Sequence, residues 1–141
     1  MAQDIKTADI AIIGTGPAGI SAAITAKIRN KEILLFGAEP VSSKVAKAHR
    51  ILNYPGLPAV SGEELAQAYK RHLDELQIAI TKKRVHAVYA MGSYFAIQAG
   101  DEQYRADSVI LACGMTADKP FPGENEFLGR GVSYCATCDA Q

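Results

Sequence analysis

Two short stretches hold the residue types that do chemistry. Near the end of the chain Cys135 and Cys138 enclose Ala136 and Thr137, and Asp139 follows directly. Thiols at that spacing can close a small disulfide ring, and a suitable environment can lower the pKa of one of them, so the pair can cycle between dithiol and disulfide. A carboxyl beside such a pair can carry a proton during thiol–disulfide exchange if burial raises its pKa; an exposed turn aspartate is the alternative for Asp139. The same C-x-x-C is also half of a zinc site. Zinc prefers four ligands, however, and the chain has no second such pair, while His49, His72 and His86 are far apart in sequence. A zinc would have to be shared between chains, and no metal ligands are assigned.

The second stretch runs Gly14, Thr15, Gly16, Pro17, Ala18, Gly19, the G-x-G-x-x-G pattern, with the apolar residues 9–13 before it and the Ala-rich residues 20–29 after it. In a strand–turn–helix context the first glycine permits the tight turn, the second lets backbone approach a pyrophosphate and the third lets helix and strand pack closely. The helix N-terminus presents N–H groups and a positive dipole end to the phosphates, and Pro17 sits where its missing N–H costs nothing. FAD and nicotinamide dinucleotides fit this pattern equally. An acidic residue about 20 positions on should hold the ribose hydroxyls; Glu39 is the best-placed candidate and Glu32 falls too early, with a solvated loop charge as the alternative for Glu39.

These residues need a scaffold. Residues 9–13 and 31–36 read as buried parallel strands joined by the helix, one βαβ unit. Residues 37–58 carry Pro, Ser, Gly and Asn without a sustained period and read as mostly loop. Ser61 and Glu64 have the spacing of a capping box, and Leu65, Ala68, Tyr69, His72, Leu73 and Leu76 follow on one face, which predicts a helix over 62–77 with His72 at the edge of its apolar stripe. Residues 78–80, 85–91, 94–98 and 103–106 read as a small antiparallel meander, and residues 108–113 as a buried strand returning to the parallel sheet, with Cys113 a small buried hydrophobe at its end. The predicted architecture is α/β: a three-layer, Rossmann-like domain with a parallel sheet and a β-meander crossover.

Composition narrows the partners. Of 141 residues 48% are hydrophobic, enough for one domain with a sizeable core. Fifteen Lys and Arg balance fifteen Asp and Glu, so the net charge gives no footprint for nucleic acid or an anionic membrane, and small molecules or proteins are the expected partners. The first nine residues carry no apolar leader segment and the apolar runs are strand-sized. Three cysteines suit one catalytic pair plus a separate thiol, Cys113, in a reducing compartment, so a cytoplasmic protein is expected.

Taken in order, residues 12–19, residues 53–56 (Asn, Tyr, Pro, Gly), the Leu111 to Gly114 strand end, and above all residues 131–139 (Gly, Val, Ser, Tyr, Cys, Ala, Thr, Cys, Asp) resemble the low-molecular-weight thioredoxin reductases. The resemblance implies an FAD-binding domain over residues 1–118, and a connection and start of a second, C-x-x-C-bearing domain over 119–141. It implies a redox disulfide between Cys135 and Cys138, Asp139 as acid/base group, and Gly14, Thr15, Gly16, Pro17, Ala18 and Gly19 around the FAD pyrophosphate. Glu39, Lys44, Asn53, Val85, Cys113 and Gly114 complete the implied cofactor-binding set. Electrons would pass from FAD through the disulfide to thioredoxin or a related small dithiol protein, in a homodimer.

Two departures stand out. Where that family has a Gly-Gly-Gln segment after the second strand, this chain has residues 40–45 (Pro, Val, Ser, Ser, Lys, Val), which is similar instead to the ferredoxin-dependent flavin thioredoxin reductases. The donor is therefore ferredoxin or NADPH, and no second glycine fingerprint is present for a nicotinamide site. Family members also continue for well over a hundred residues more, so the chain is expected to be a fragment. The rival readings are a dinucleotide- or zinc-binding module without catalysis, and a flavin disulfide reductase with another acceptor.

Overall fold

The computed structural model describes residues 5–37, 43–114, 120–127 and 130–132. The chain opens with β1 (Lys6–Ile13), α1 (Pro17–Ile28) and β2 (Ile33–Phe36), followed by a short α2 (Ser43–Ala46) and α3 (Gly62–Glu75). Then come β3 (Ile80–Thr81), β4 (Val85–Ala90), β5 (Phe95–Ala99), β6 (Glu102–Leu111) and α4 (Glu124–Phe127). The strands form one sheet in the order β3-β2-β1-β6-β5-β4; the pairs among β3, β2, β1 and β6 are parallel, and those of β5 with β4 and β6 antiparallel. This is the predicted mixed α/β, Rossmann-like architecture.

Strand alternation divides the apolar residues between two cores. Ile12 of β1 and Leu35 of β2 face the helices, where they meet Ile20 and Ala23 of α1 and Leu65, Tyr69 and Leu73 of α3. Ala11 and Phe36, one residue along in each strand, face the other way and meet Ile97 and Ala99 of β5 and Tyr104 and Ala106 of β6. The antiparallel strands therefore form a third layer over the second face of β1 and β2, with the Phe36 and Tyr104 rings edge to face at 5.0 Å. The Tyr104 hydroxyl donates to Glu102 at 2.5 Å, and burial followed by that bond pushes its pKa up to about 12.

Both long helices end in the same way. Asn30 and Gln77 adopt left-handed backbone conformations, and the amide pairs Lys31 N–H to Ala26 O with Asn30 N–H to Lys27 O, and Ile78 N–H to Leu73 O with Gln77 N–H to Asp74 O, complete two Schellman motifs. These turns aim the chain into β2 and β3. At its start α3 has the full capping box: Ser61 Oγ accepts from Glu64 N–H at 3.2 Å, and Glu64 Oε2 accepts from Ser61 N–H at 2.9 Å.

Several expectations are corrected. Residues 80–81 belong to the parallel sheet beside β2 and not to the meander. The strands expected at 103–106 and 108–113 are one ten-residue strand, β6, whose first half pairs with β5 while residues 104–111 pair with β1. The 37–58 stretch contains α2, and the bridge between Ile51 and Val60 closes a loop whose tip turns at Pro55 and Gly56, with Leu57 N–H donating to Tyr54 O at 3.2 Å. Cys113 is exposed, as is Leu111 at 73%, because residues 108–111 of β6 pair only with β1 and leave their other edge open. His72 is exposed as well, because α3 turns Tyr69 and Leu73, on either side of it, into the core.

Replacing Ser61 by Ala should cost about 1 kcal/mol at neutral pH by loss of the cap. Hydrogen bonds from the Ser61 backbone and then its side chain hold the Glu64 carboxyl below its ordinary 4.5. A depressed folded-state pKa contributes stability above the unfolded value that is lost as pH falls through the folded one, so chemical denaturation from pH 7 to pH 3 should show the wild-type advantage shrinking below about pH 4.5. The Tyr69 hydroxyl is buried without a well-formed hydrogen bond, its ring edge-on to Tyr54 at 6.1 Å; burial first, then the Tyr54 hydroxyl, raise its pKa. Tyr69→Phe should therefore change stability by less than about 1 kcal/mol, since no made bond is lost.

Candidate functional site: the glycine cradle

β1 ends at Ile13 and the chain turns at once. Gly14 has φ +120, donates its N–H to Phe36 O at 2.9 Å, and lies so close to the end of β6 that a Cβ there would sit 2.1 Å from Ala112 O. Ala112 N–H in turn donates to Ile13 O at 2.8 Å. A Cβ on Gly19 would fall 1.9 Å from Gly14 O. Side-chain flexibility cannot relieve contacts with backbone atoms, so these two glycines are demanded by turn and packing.

Gly16 differs. It is the N-cap of α1, with φ −79 and ψ −178, a conformation any residue adopts, and a Cβ built there meets nothing within 4 Å. Neither strain nor packing calls for glycine at this position, and the open space before it fits a pyrophosphate lying against the backbone. The first intrahelical bond is Ile20 N–H to Gly16 O, so the N–H groups of Ala18 and Gly19 have no carbonyl one turn back, and no acidic residue lies in the first turn to compete with a phosphate. Thr15 is buried, its side chain within 2.4 Å of where a Cβ on Gly37 would be.

The cradle thus joins the carboxyl ends of β1, β2, β3 and β6. Gly37, just beyond β2, donates to Thr81 O at 3.1 Å, and Cys113, just beyond β6, points its thiol at Ile13 O at 3.8 Å. In open α/β sheets the crevice at these strand ends is where ligands bind. Gly114 ends the approach with φ +67. Two positions were not singled out as site residues from the sequence: Gly37, kept small by Thr15, and Ala112, which lies between Gly14 and Gly19. Their signal was a small residue directly after each apolar strand.

The other expected residues are dispersed. Asn53 is exposed on the loop closed by Ile51 and Val60. Val85 opens β4 opposite Ala99 and packs against the second core. Lys44 lies within α2. Glu39, Cys135, Cys138 and Asp139 lie outside the described residues. A cavity of about 440 Å³ between residues 57–60 and α3, bordered by Arg71, shares no residue with the cradle.

A strand–glycine turn–helix with an open second glycine, at the carboxyl edge of a parallel sheet that carries a β-meander crossover, defines a dinucleotide-binding domain. The chain belongs to the pyridine nucleotide-disulphide oxidoreductase family, whose model matches residues 8–141. Within it, the resemblance to low-molecular-weight thioredoxin reductases holds. The chain is 35% identical over 135 residues to the thioredoxin reductase of Bacillus subtilis, with 95% of this chain and 43% of that protein covered. It is 40% identical over 133 residues to that of Treponema pallidum, with 93% and 43% covered. Among solved structures, a ferredoxin-flavin thioredoxin reductase from Clostridium acetobutylicum matches with TM-score 0.77 at 51% identity, over 96% of this chain and 47% of that one. A Streptococcus pyogenes thioredoxin reductase matches with TM-score 0.82 at 34% identity, over 94% and 44%. The chain therefore spans less than half the length of these relatives. The family and its thioredoxin reductase members bind FAD, in agreement with the cofactor expected from the motifs.

The glycines should separate experimentally. Gly14→Ala and Gly19→Ala should each lower stability by roughly 2 kcal/mol or more through overpacking, read by denaturant melts. Gly16→Val should melt close to wild type yet retain markedly less FAD after desalting.

Proposed function

We propose that the intact protein is an FAD-dependent disulfide oxidoreductase that reduces thioredoxin or a similar small dithiol protein, with ferredoxin as the electron donor. The observation that carries the FAD part is the open face of Gly16, a glycine that the fold itself does not need. The donor is favoured by the 51% identity to a ferredoxin-flavin thioredoxin reductase, which exceeds the 34–40% shared with the thioredoxin reductases above. The lack of the Gly-Gly-Gln segment at residues 40–45 points the same way.

In this reading residues 1–118 form the FAD domain and residues 119–141 lead into the C-x-x-C domain of a homodimer in the reducing cytoplasm. Gly14, Gly16 and the N–H groups of Ala18 and Gly19 hold the pyrophosphate, Glu39 the ribose hydroxyls, and Asn53 and Lys44 lie along the cofactor. FAD held there and reduced by two one-electron ferredoxins would supply the two electrons which, taken up with two protons, open the Cys135–Cys138 disulfide to a dithiol. One of these thiols, as thiolate, attacks the substrate disulfide and forms a mixed disulfide, releasing a substrate thiolate that takes up a proton. The second Cys thiolate then attacks its partner's sulfur in the mixed disulfide. That re-forms the Cys135–Cys138 disulfide and frees the second substrate thiolate, which Asp139 protonates. The balance is two electrons and two protons delivered per substrate disulfide.

Cys135→Ser and Cys138→Ser should each keep the flavin spectrum of the full-length protein and lose more than about 99% of thioredoxin reduction, since exchange needs both sulfurs. Asp139→Asn should slow turnover by about 10²-fold or more while the flavin remains reducible. Undiminished disulfide reduction in either cysteine variant would refute the assignment.

A further inference from the structure

Charge is balanced over the whole chain but not along it. Residues 40–62 include Lys44, Lys47, His49 and Arg50 and contain no Asp or Glu. Lys47, His49 and Arg50 are exposed, as is Leu52 beside them. Neither Lys47 nor Arg50 has a carboxylate within ion-pair distance among the described residues. The neighbouring helix α3 does not neutralise them: Glu64 is turned into the Ser61 cap, and Glu63 makes no ion pair either.

The basic segment is also fixed in place. A Cβ on Gly62 would lie 1.8 Å from Val45 O, Gly62 N–H donates to Ala48 O at 2.8 Å, and Ala48 N–H donates to Val45 O at 3.1 Å. Val45 packs against the helix-side core. Such backbone contact holds the cations in one arrangement and leaves their side chains in water, where a partner meets a preset field.

Its position matters as much as its sign. Val45 and Ile51, which flank residues 47–50, pack against the helix-side core of Ile12, Ile20 and Leu35. A protein docked on residues 47–52 would therefore stand on the face of the sheet that carries α1, the helix that opens at the glycine cradle. Two exposed cations without an ion pair among the described residues, next to an exposed leucine, form a small, charge-steered patch, the type that suits brief electron-transfer encounters better than permanent assembly.

We infer that Lys47 and Arg50, with His49 between them and Leu52 beside them, form the docking surface for a small acidic electron-carrier protein of the ferredoxin type. The inference rests on the ferredoxin donor reading above and adds to it the surface used.

The test is rapid-mixing reduction of the flavin in the FAD-loaded full-length protein by reduced ferredoxin, at low and at high ionic strength. Photoreduction of the bound flavin serves as the control for an intact cofactor site. The wild-type second-order rate should fall steeply with salt. Lys47→Glu with Arg50→Glu should lower it roughly tenfold at low salt, with the difference vanishing once the Debye length shrinks to a few ångströms. Lys47→Gln with Arg50→Gln, a milder pair, should fall between the two and covers the case of a poorly folding charge reversal. If ferredoxin reduces the wild type while both double variants keep its rate and salt slope, the surface is wrong and the donor reading stands. If the wild-type flavin accepts electrons from NADPH and none from ferredoxin, the donor reading and the surface fall together.

Discussion

At the carboxyl edge of the sheet the ends of β1 and β6 and the start of α1 approach more closely than any side chain would permit. Gly14 lies against Ala112 O, and Gly19 lies against Gly14 O. This contact depends on strand register, because Ile13 opposite Leu111 puts Ala112 next to Gly14. A one-residue slip would turn Ile12 out of the helix-side core and move Ala112 away from the turn. Stability and the glycine cradle are thus products of one arrangement: apolar alternation sets the register, and the register sets the crevice.

β6 joins the parallel and antiparallel parts of the sheet. Its first half closes the antiparallel meander and residues 104–111 lie beside β1, so Tyr104 and Ala106 can help cover Ala11 and Phe36 while the strand's far end reaches the glycine loop. The Lys83–Glu102 ion pair at the meander is partly exposed and screened by water, so it contributes far less than the buried rings next to it. The third layer is therefore an apolar construction with a polar fringe. Among the described residues, 108–111 are paired on one side only, toward β1.

The site and the surface near it divide the electrostatic work. The cradle presents backbone N–H groups and a helix end, features suited to an anion whatever the surrounding charge. Residues 40–62 concentrate side-chain cations and contain no carboxylate. A neutral total charge conceals this separation, and that is why the balance of fifteen against fifteen spoke only to large nucleic-acid or membrane footprints.

Local chemistry was legible in the sequence wherever residue type alone dictates structure. The G-x-G-x-x-G turn, the Ser61–Glu64 capping box, the βαβ unit and the α/β class follow from glycine geometry, side-chain hydrogen-bonding reach and apolar periodicity, all of which act within a few residues. Other features needed the folded chain. Cys113 reads as a buried residue from its apolar neighbours, yet it is exposed because the edge of β6 beside it is unpaired. Residues 78–80 read as the start of the meander, yet Ile80, with Thr81, joins β2, since so short a run carries too little pattern to choose a partner. Asn30 and Gln77 end helices in a left-handed conformation without being glycine, held there by the chain's turn into the next strand. Only tertiary packing separated Gly14 and Gly19, which the fold requires, from Gly16, which it does not, because whether a Cβ would collide depends on atoms brought near by strands almost a hundred residues apart.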